Sequence, residues 1–243
     1  MTKGLPYFYV PEAASRVPLS PEDGAHAMKS LRLRPGDEVT VSDGKGWVAR
    51  GKLTLDGPVR SVVDVVDSEV FEPPERRVRV ALAAPSGDRA WWAIQKLTEL
   101  GVDAITLVES ARSVRKQLGR EVHVLRRALV VVREAAKQSR RPFLPDVDVP
   151  AGGLFSDAPD PERALVLYEG TAQPMLVALT NTARTGEIIS IYIGPEGGLA
   201  DEEVEEAKER GATLVSLGSA NLRSETAAFA GAALVLSQLG RLG

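Results

Sequence analysis

From Val78 to the end of the chain, strand-length apolar runs alternate with helix-length segments, and this alternation limits the fold more than any other feature. "VRVALAA" is followed by a helical pattern from about Asp88 to Leu100, and "DAITLVE" by one from about Arg120 to Ser139. "RALVLYE" precedes a helix near Pro174 to Thr182, "EIISIYIG" precedes an acidic helix, and "ATLVSLG" leads through "SANLR" into "SETAAFAGAALVLSQLG". Strands that alternate with helices predict an α/β domain with a mostly parallel sheet covered on both faces. Residues 1–72 follow a different rhythm. There "DEVTVSDGKGWVARGKLTL" and "VRSVVDVVDSEV" alternate around the turn residues Asp43-Gly44 and Asp56-Gly57-Pro58, which predicts the strands of a small β-barrel. One short helix opens at Ser20-Pro21. The stretch "EPPERR", with Pro73 and Pro74, reads as the linker, giving two domains, 1–72 and 73–243.

The chain has no cysteine and only two histidines, His26 and His123. Disulfides, thiolate metal sites and a cysteine nucleophile are thereby excluded, and a histidine-rich metal centre has little to be built from, so no metal is expected. An enzyme of this composition would draw its electrophile from a cofactor. No apolar run approaches the ~20 residues of a membrane span, and the N-terminus lacks the apolar core of a signal peptide, so the expected location is cytoplasmic with no membrane partner. The net charge of −3 hides an uneven distribution. Between Arg112 and Pro142 ten basic residues face two acidic ones, whereas between Glu196 and Glu225 eight acids face three bases. The basic run is either a solvated helix face or the footprint of a polyanion; Arg112, Arg115, Arg140 and Arg141 are the candidate contacts to such a partner, joined by Arg32 and Arg34 in the first domain.

In "SIYIGPEGGLADEEVEEAKERG" a buried strand runs through a glycine turn into a helix. Such turns commonly cradle phosphate. Here Glu196 lies inside the turn and Asp201, Glu202, Glu203, Glu205 and Glu206 crowd the helix start, so a polyphosphate would be repelled. Neither a P-loop nor G-x-G-x-x-G is present. The plainer reading is that the glycines turn the chain and the acids cap the helix. Ala200 stands at the cap, with Asp201 next to it as the residue able to take over the capping. Two more strand ends, "LYEG" and "LGSANLRSETA", belong to the same sheet, and loops at the carboxyl ends of parallel strands share one edge. Three such loops would make a pocket of backbone groups and apolar walls from Leu167, Ile193, Leu217 and Leu222, with Arg223, Glu225 and Thr226 as its polar residues. That chemistry suits S-adenosylmethionine, an adenine-bearing molecule with a net positive charge.

"IGPEGGL", the downstream "LG" and "LRSETA" resemble the signature of the RsmE family of 16S ribosomal RNA uridine-N3 methyltransferases, in the SPOUT superfamily. "HAMKSLRLRPGDEVTVSDGKG", "QKLTELGVDAI" and "REAAKQSRRPFLP" extend the resemblance over nearly the whole chain. It implies a PUA-like β-barrel that holds RNA, a SPOUT domain whose last helix threads a loop into a trefoil knot, and a homodimer. The alanine-rich last helix would then let another backbone approach closely. Carried onto this sequence, the resemblance places S-adenosylmethionine among Leu167, Glu169 and Gly170, Ile193, Gly194, Pro195, Glu196, Gly197 and Gly198, and Leu217, Gly218, Leu222 and Thr226. Where the family commonly shows Arg-Ile-Leu-Arg, this chain has Ala220-Asn221-Leu222-Arg223, and the first arginine is missing.

The candidate catalytic residues are Arg223 and Glu225. Uracil N3 becomes nucleophilic only when its proton leaves, so the reaction needs a proton acceptor and a fixed cation. The structural alternative is an Arg223 that braces its loop and a Glu225 that caps the last helix. Two other functions stay open at this stage: a SPOUT enzyme acting on a ribose 2′-hydroxyl, and a non-catalytic RNA-binding factor of ribosome assembly. The resemblance implies the small ribosomal subunit or its 16S RNA as the partner.

Overall fold

The computed structural model describes residues 4–56, 60–83, 87–113, 121–155, 164–182 and 188–242. Its chain divides into two compact units, Met1–Pro73 with Ala136–Leu144, and Pro74–Ala135 with Pro145–Gly243. In the first unit, strands β1 (Tyr7–Tyr9), β2 (Arg16–Pro18), β3 (Glu38–Ser42), β4 (Trp47–Asp56) and β5 (Arg60–Val70) form a sheet of order β1-β3-β4-β5-β2. Strands β3, β4 and β5 pair antiparallel, as hairpins do, while β1 joins β3 in parallel. Alternation sends Phe8, Val39, Val41 and Val63 to one face, where they form a core with Val10, Val17, Leu19 and Leu53. The helix α1 (Pro21–Ala25) starts as expected, with Ser20 Oγ accepting from the Asp23 amide at 3.0 Å. It runs on as a wide π turn, His26–Ser30, that the sequence did not announce.

The segment from Ala136 to Leu144 belongs with this unit despite its distance in sequence. Both Tyr7 and Tyr9 donate their hydroxyls to the Arg141 carbonyl, at 3.1 and 2.7 Å, and Lys137 Nζ meets the buried Asp23 carboxylate at 2.6 Å. Burial pushes the Tyr7 hydroxyl above its ordinary pKa, so it keeps its proton and remains the donor.

The second unit holds a six-stranded sheet of order β11-β9-β10-β6-β7-β8, parallel throughout its described pairs. Its strands are β6 (Arg77–Ala83), β7 (Ala104–Val108), β8 (Asp146–Asp148), β9 (Ala164–Leu167), β10 (Ile188–Ile193) and β11 (Thr213–Val215). The short β8 carries too few apolar residues for the sequence pattern to have revealed it. Helices α2 (Arg89–Leu100), α3 (Glu121–Ser139), α4 (Met175–Thr182), α5 (Asp201–Glu209) and α6 (Ser224–Gln238) connect or follow them. Helix α6 lies against α2, β6 and β10, and its Gly231 stands where a Cβ would come within 3.3 Å of Leu167. At the opposite edge Arg241 grips Asp103 through two nitrogens at 2.6 and 2.9 Å and also donates to the Gly101 and Arg76 carbonyls. Among the described residues no helix is long and apolar enough to cross a membrane, and no cluster of His, Asp or Glu is placed to hold a metal ion.

Candidate active site

Strands β11, β9 and β10 are neighbours and parallel, so the loops after Val215, Leu167 and Ile193 leave the sheet side by side. They enclose a cavity lined by Leu167, Glu169, Ile193, Gly194, Pro195, Gly198, Leu217, Gly218 and Leu222, all expected from sequence. Tyr168, Leu199, Val215, Ser216, Ala220, Ser224 and Ala227 line it too and were not singled out. Their position one residue beyond a quoted motif, or inside it, is the signal that would have found them. Gly170, Glu196, Gly197 and Thr226 stand near the same loops but do not line the cavity. Its enclosed space is about 90 Å³. That is less than the ~300 Å³ from which small-molecule sites usually begin. Glu169, Ser216, Leu217 and Gly218 also wall a second hollow of about 500 Å³, with Met175 and Leu234 on its apolar side.

Two glycines of the turn have a physical reason to be glycine. Gly198 has φ +72°, and a Cβ there would come within 2.9 Å of Glu169 Oε1. A Cβ on Gly194 would meet Leu199 Cδ2 at 2.8 Å. The acids behind the turn do separate jobs. Glu203 is buried and accepts from the Ala200 amide at 2.9 Å, from Ser110 Oγ at 3.0 Å and from the Ala111 amide at 3.1 Å. The expected capping by Asp201 is therefore corrected: Glu203 closes the helix start, because only a side chain from the third helical position reaches back to the cap amide. Arg112 reaches the turn as well, donating to the Gly197 carbonyl at 3.4 Å.

Arg223 and Glu225 open α6 beside the cavity but are absent from its lining. Arg223 is exposed, and among the described residues it makes no ion pair. Glu225 is 9 % exposed, and its Oε2 has no hydrogen-bond partner among the described residues. Its other oxygen faces Arg89 Nε at 3.8 Å, and Arg89 Nη1 lies 3.6 Å from Glu196. Arg89, at the first turn of α2, thus links the glycine turn to the start of the last helix. Sequence reasoning missed it because its neighbours in sequence carry no motif.

The candidate RNA contacts scatter. Arg32 and Arg34 are exposed in the first unit, Arg112 is exposed in the second, and Arg115 lies outside the described residues. Arg140 and Arg141 are half-buried; Arg140 donates to the Leu5 carbonyl at 2.9 Å. These two arginines are built into the first unit and are not the open basic face that the charge count alone implied.

A family model described as RNA methyltransferase domain matches residues 72–236, and one described as RNA methyltransferase PUA domain matches residues 19–58. A Ribosomal RNA small subunit methyltransferase E from Mycobacterium bovis is 33% identical over 235 residues, covering 91% of this chain and 87% of that relative. The chain belongs to the ribosomal RNA small subunit methyltransferase E family. The Bacillus subtilis member is 32% identical over 225 residues, covering 89% of this chain and 88% of the relative. The crystal structure of the Neisseria gonorrhoeae member, bound to S-adenosyl methionine, superposes with a TM-score of 0.83 at 30% identity, covering 96% of this chain and 97% of that one. This family's fold is a SPOUT α/β domain with a PUA-like sheet before it, and its three strand-end loops fall inside the matched methyltransferase domain.

Proposed function

We propose that the protein transfers a methyl group from S-adenosylmethionine to N3 of one uridine in 16S ribosomal RNA of the small subunit. The observation that carries this reading is the convergence of three strand-end loops on one cavity, in a chain of the methyltransferase E family. The residues fit the cofactor: Leu167, Ile193 and Leu217 offer apolar walls, the turn packs so closely at Gly194 and Gly198 that its bare backbone, not a side chain, borders the cavity, and Glu169 offers a carboxylate to a cationic or hydroxyl-bearing group. When bound, S-adenosylmethionine supplies an electrophilic methyl on its sulfonium. The chain's own residues then make the base ready. Glu225, whose Oε2 is buried without a hydrogen-bond partner among the described residues, accepts the N3 proton directly or through a water. Arg223 presents its planar fork of donors to the uracil oxygens, over which the resulting negative charge spreads. Arg89 holds Glu225 from the other side and ties it to the glycine turn. Arg32, Arg34, Arg112 and Arg115 contact RNA phosphates. The protein acts as a homodimer, with the trefoil knot of one subunit facing the other.

Tritiated-methyl transfer to small ribosomal subunits from a strain lacking this protein tests the reading, followed by digestion and mass spectrometry. The expected product is N3-methyluridine. A methyl on a ribose, or cofactor binding without any transfer, overturns it.

A further inference from the structure

The first unit has a cavity of its own, on the face of the sheet turned away from the Phe8–Val39–Val41 core. Strand register builds it. Tyr7 pairs with Thr40, Thr40 with Arg50 and Arg50 with Asp67, so an aromatic ring, a hydroxyl, a guanidinium and a carboxylate stand in one row across β1, β3, β4 and β5. Val48 and Glu69 form part of the adjacent row. Its volume, about 340 Å³, is at the lower end of the roughly 300–1,000 Å³ of small-ligand sites, enough for one planar group. Tyr7 and Thr40 line the deep part, 8% and 6% exposed, and the Tyr7 hydroxyl is anchored on Arg141, which fixes the ring. Asp67 and Glu69 stand exposed at the mouth, with Arg50 and Arg140 beside them.

Two observations mark this cavity as a site for a ligand. Thr40 Oγ1 is fully buried and has no hydrogen-bond partner among the described residues, in a place where a buried hydroxyl normally finds one. Arg140 has φ +55° at the end of α3, where Arg141 N closes back on the Ala136 carbonyl at 3.1 Å. That left-handed position usually belongs to glycine. Here the chain tolerates an unfavourable backbone and thereby brings a guanidinium to the cavity, where one of its five donors goes to Leu5.

We propose that this cavity receives a single unpaired guanine of the RNA substrate. The inference rests on the RNA methyltransferase reading above. Phosphate is disfavoured by the two carboxylates at the mouth. A flat, uncharged ring with both donors and acceptors suits the aromatic floor and the mixed rim. Guanine alone among the bases offers two adjacent donors on its Watson–Crick edge, matching Asp67 and Glu69, and the O6/N7 acceptor pair that arginine reads. Unpaired RNA bases are commonly recognised in this way, splayed from the strand onto an aromatic surface.

Binding of GMP, AMP, CMP and UMP to the full chain, measured by calorimetry, tests the proposal, because the phosphate is common to all four. GMP is expected to bind at least about tenfold more tightly than UMP, since a site built for hydrogen bonds rejects a base that leaves them unmade. Thr40→Val is expected to weaken GMP several-fold and Thr40→Ser to restore it. Asp67→Asn, at an exposed position that does not threaten folding, is expected to erase the preference for GMP. Equal affinity for the four nucleotides, or a GMP preference that survives Asp67→Asn, overturns the proposal. Methyl transfer to small subunits is followed in parallel. Transfer without guanine preference removes the pocket alone, whereas guanine preference without transfer keeps the pocket and removes the assigned reaction.

Discussion

At Gly198 the backbone φ of +72° and the nearby Glu169 carboxylate leave no place for a branched side chain. A β-branched residue there is a conformational outlier, costing roughly 1–2 kcal/mol in backbone terms alone. Gly198→Val is therefore expected to weaken S-adenosylmethionine binding by at least about tenfold by calorimetry and to lower the melting temperature by several degrees, about 2–4 °C per kcal/mol of strain. Wild-type affinity in the variant would remove the turn from the cofactor site. Glu225 poses a different question, because one of its oxygens faces Arg89 and the other, buried, has no hydrogen-bond partner among the described residues. A purely structural cap would use its acceptors. Glu225→Gln keeps the size and removes the capacity to take a proton, so single-turnover methylation is expected to fall by at least about tenfold while cofactor affinity holds. Arg223→Ala is expected to lower the rate by a similar factor. Full activity in both variants would reduce the pair to a structural role.

Between elements, Arg241 in the second unit makes a two-nitrogen tie to Asp103, a pair 20% and 6% exposed at the side chains. Asp103 also accepts from the Val78 amide at 2.7 Å, so the chain after α6 is pinned to β6 and β7. Removing one partner of a largely buried pair leaves the other desolvated and uncompensated. Arg241→Ala is expected to destabilise the second unit by about 3 kcal/mol in urea unfolding, the lower part of the range for such losses because Arg241 keeps some solvent. A change below about 0.5 kcal/mol would show the pair to be merely a surface contact. Neither Arg241 nor Arg89 was legible in the sequence. Each works through a partner more than a hundred residues away, and no local pattern encodes such a distance. The longer strands and helices were legible, because alternating runs and helix starts such as Ser20-Pro21 are local signals, whereas three-residue strands such as β1, β2 and β8 are too short to show a period. The strand-end loops were legible for the same reason: parallel order places them on one edge once their strands are recognised. The capping by Glu203 was misread because two acids, Asp201 and Glu203, satisfy the same composition and only geometry separates them.

On the scale of the whole molecule, the charge count promised a basic face from Arg112 to Arg141, and folding divides that run. The segment from Ala136 to Leu144 counts with the first unit, where Arg140 serves the Leu5 carbonyl, while Arg127 covers the Trp91 ring at 4.3 Å. A linear tally cannot separate arginines that hold the protein together from those left to meet a polyanion. Arg32 and Arg34 remain exposed, and Arg32, at φ +55°, ends its helical turn in a conformation arginine rarely adopts. Each phosphate neutralised by such a side chain releases counterions, so the logarithm of RNA affinity falls linearly with the logarithm of salt concentration. Replacing Arg32 and Arg34 together by Ala is expected to reduce that slope by about two, one for each lost phosphate contact. Cofactor affinity is expected to stay at its wild-type value, because neither residue lines the strand-end cavity. Arg140→Ala is expected to act differently: losing the bond to Leu5 lowers the melting temperature of the first unit. A salt titration of RNA binding by fluorescence anisotropy, set beside thermal melts of the two variants, separates these roles. If Arg32→Ala/Arg34→Ala leaves the slope unchanged, the exposed arginines of the first unit are not phosphate contacts.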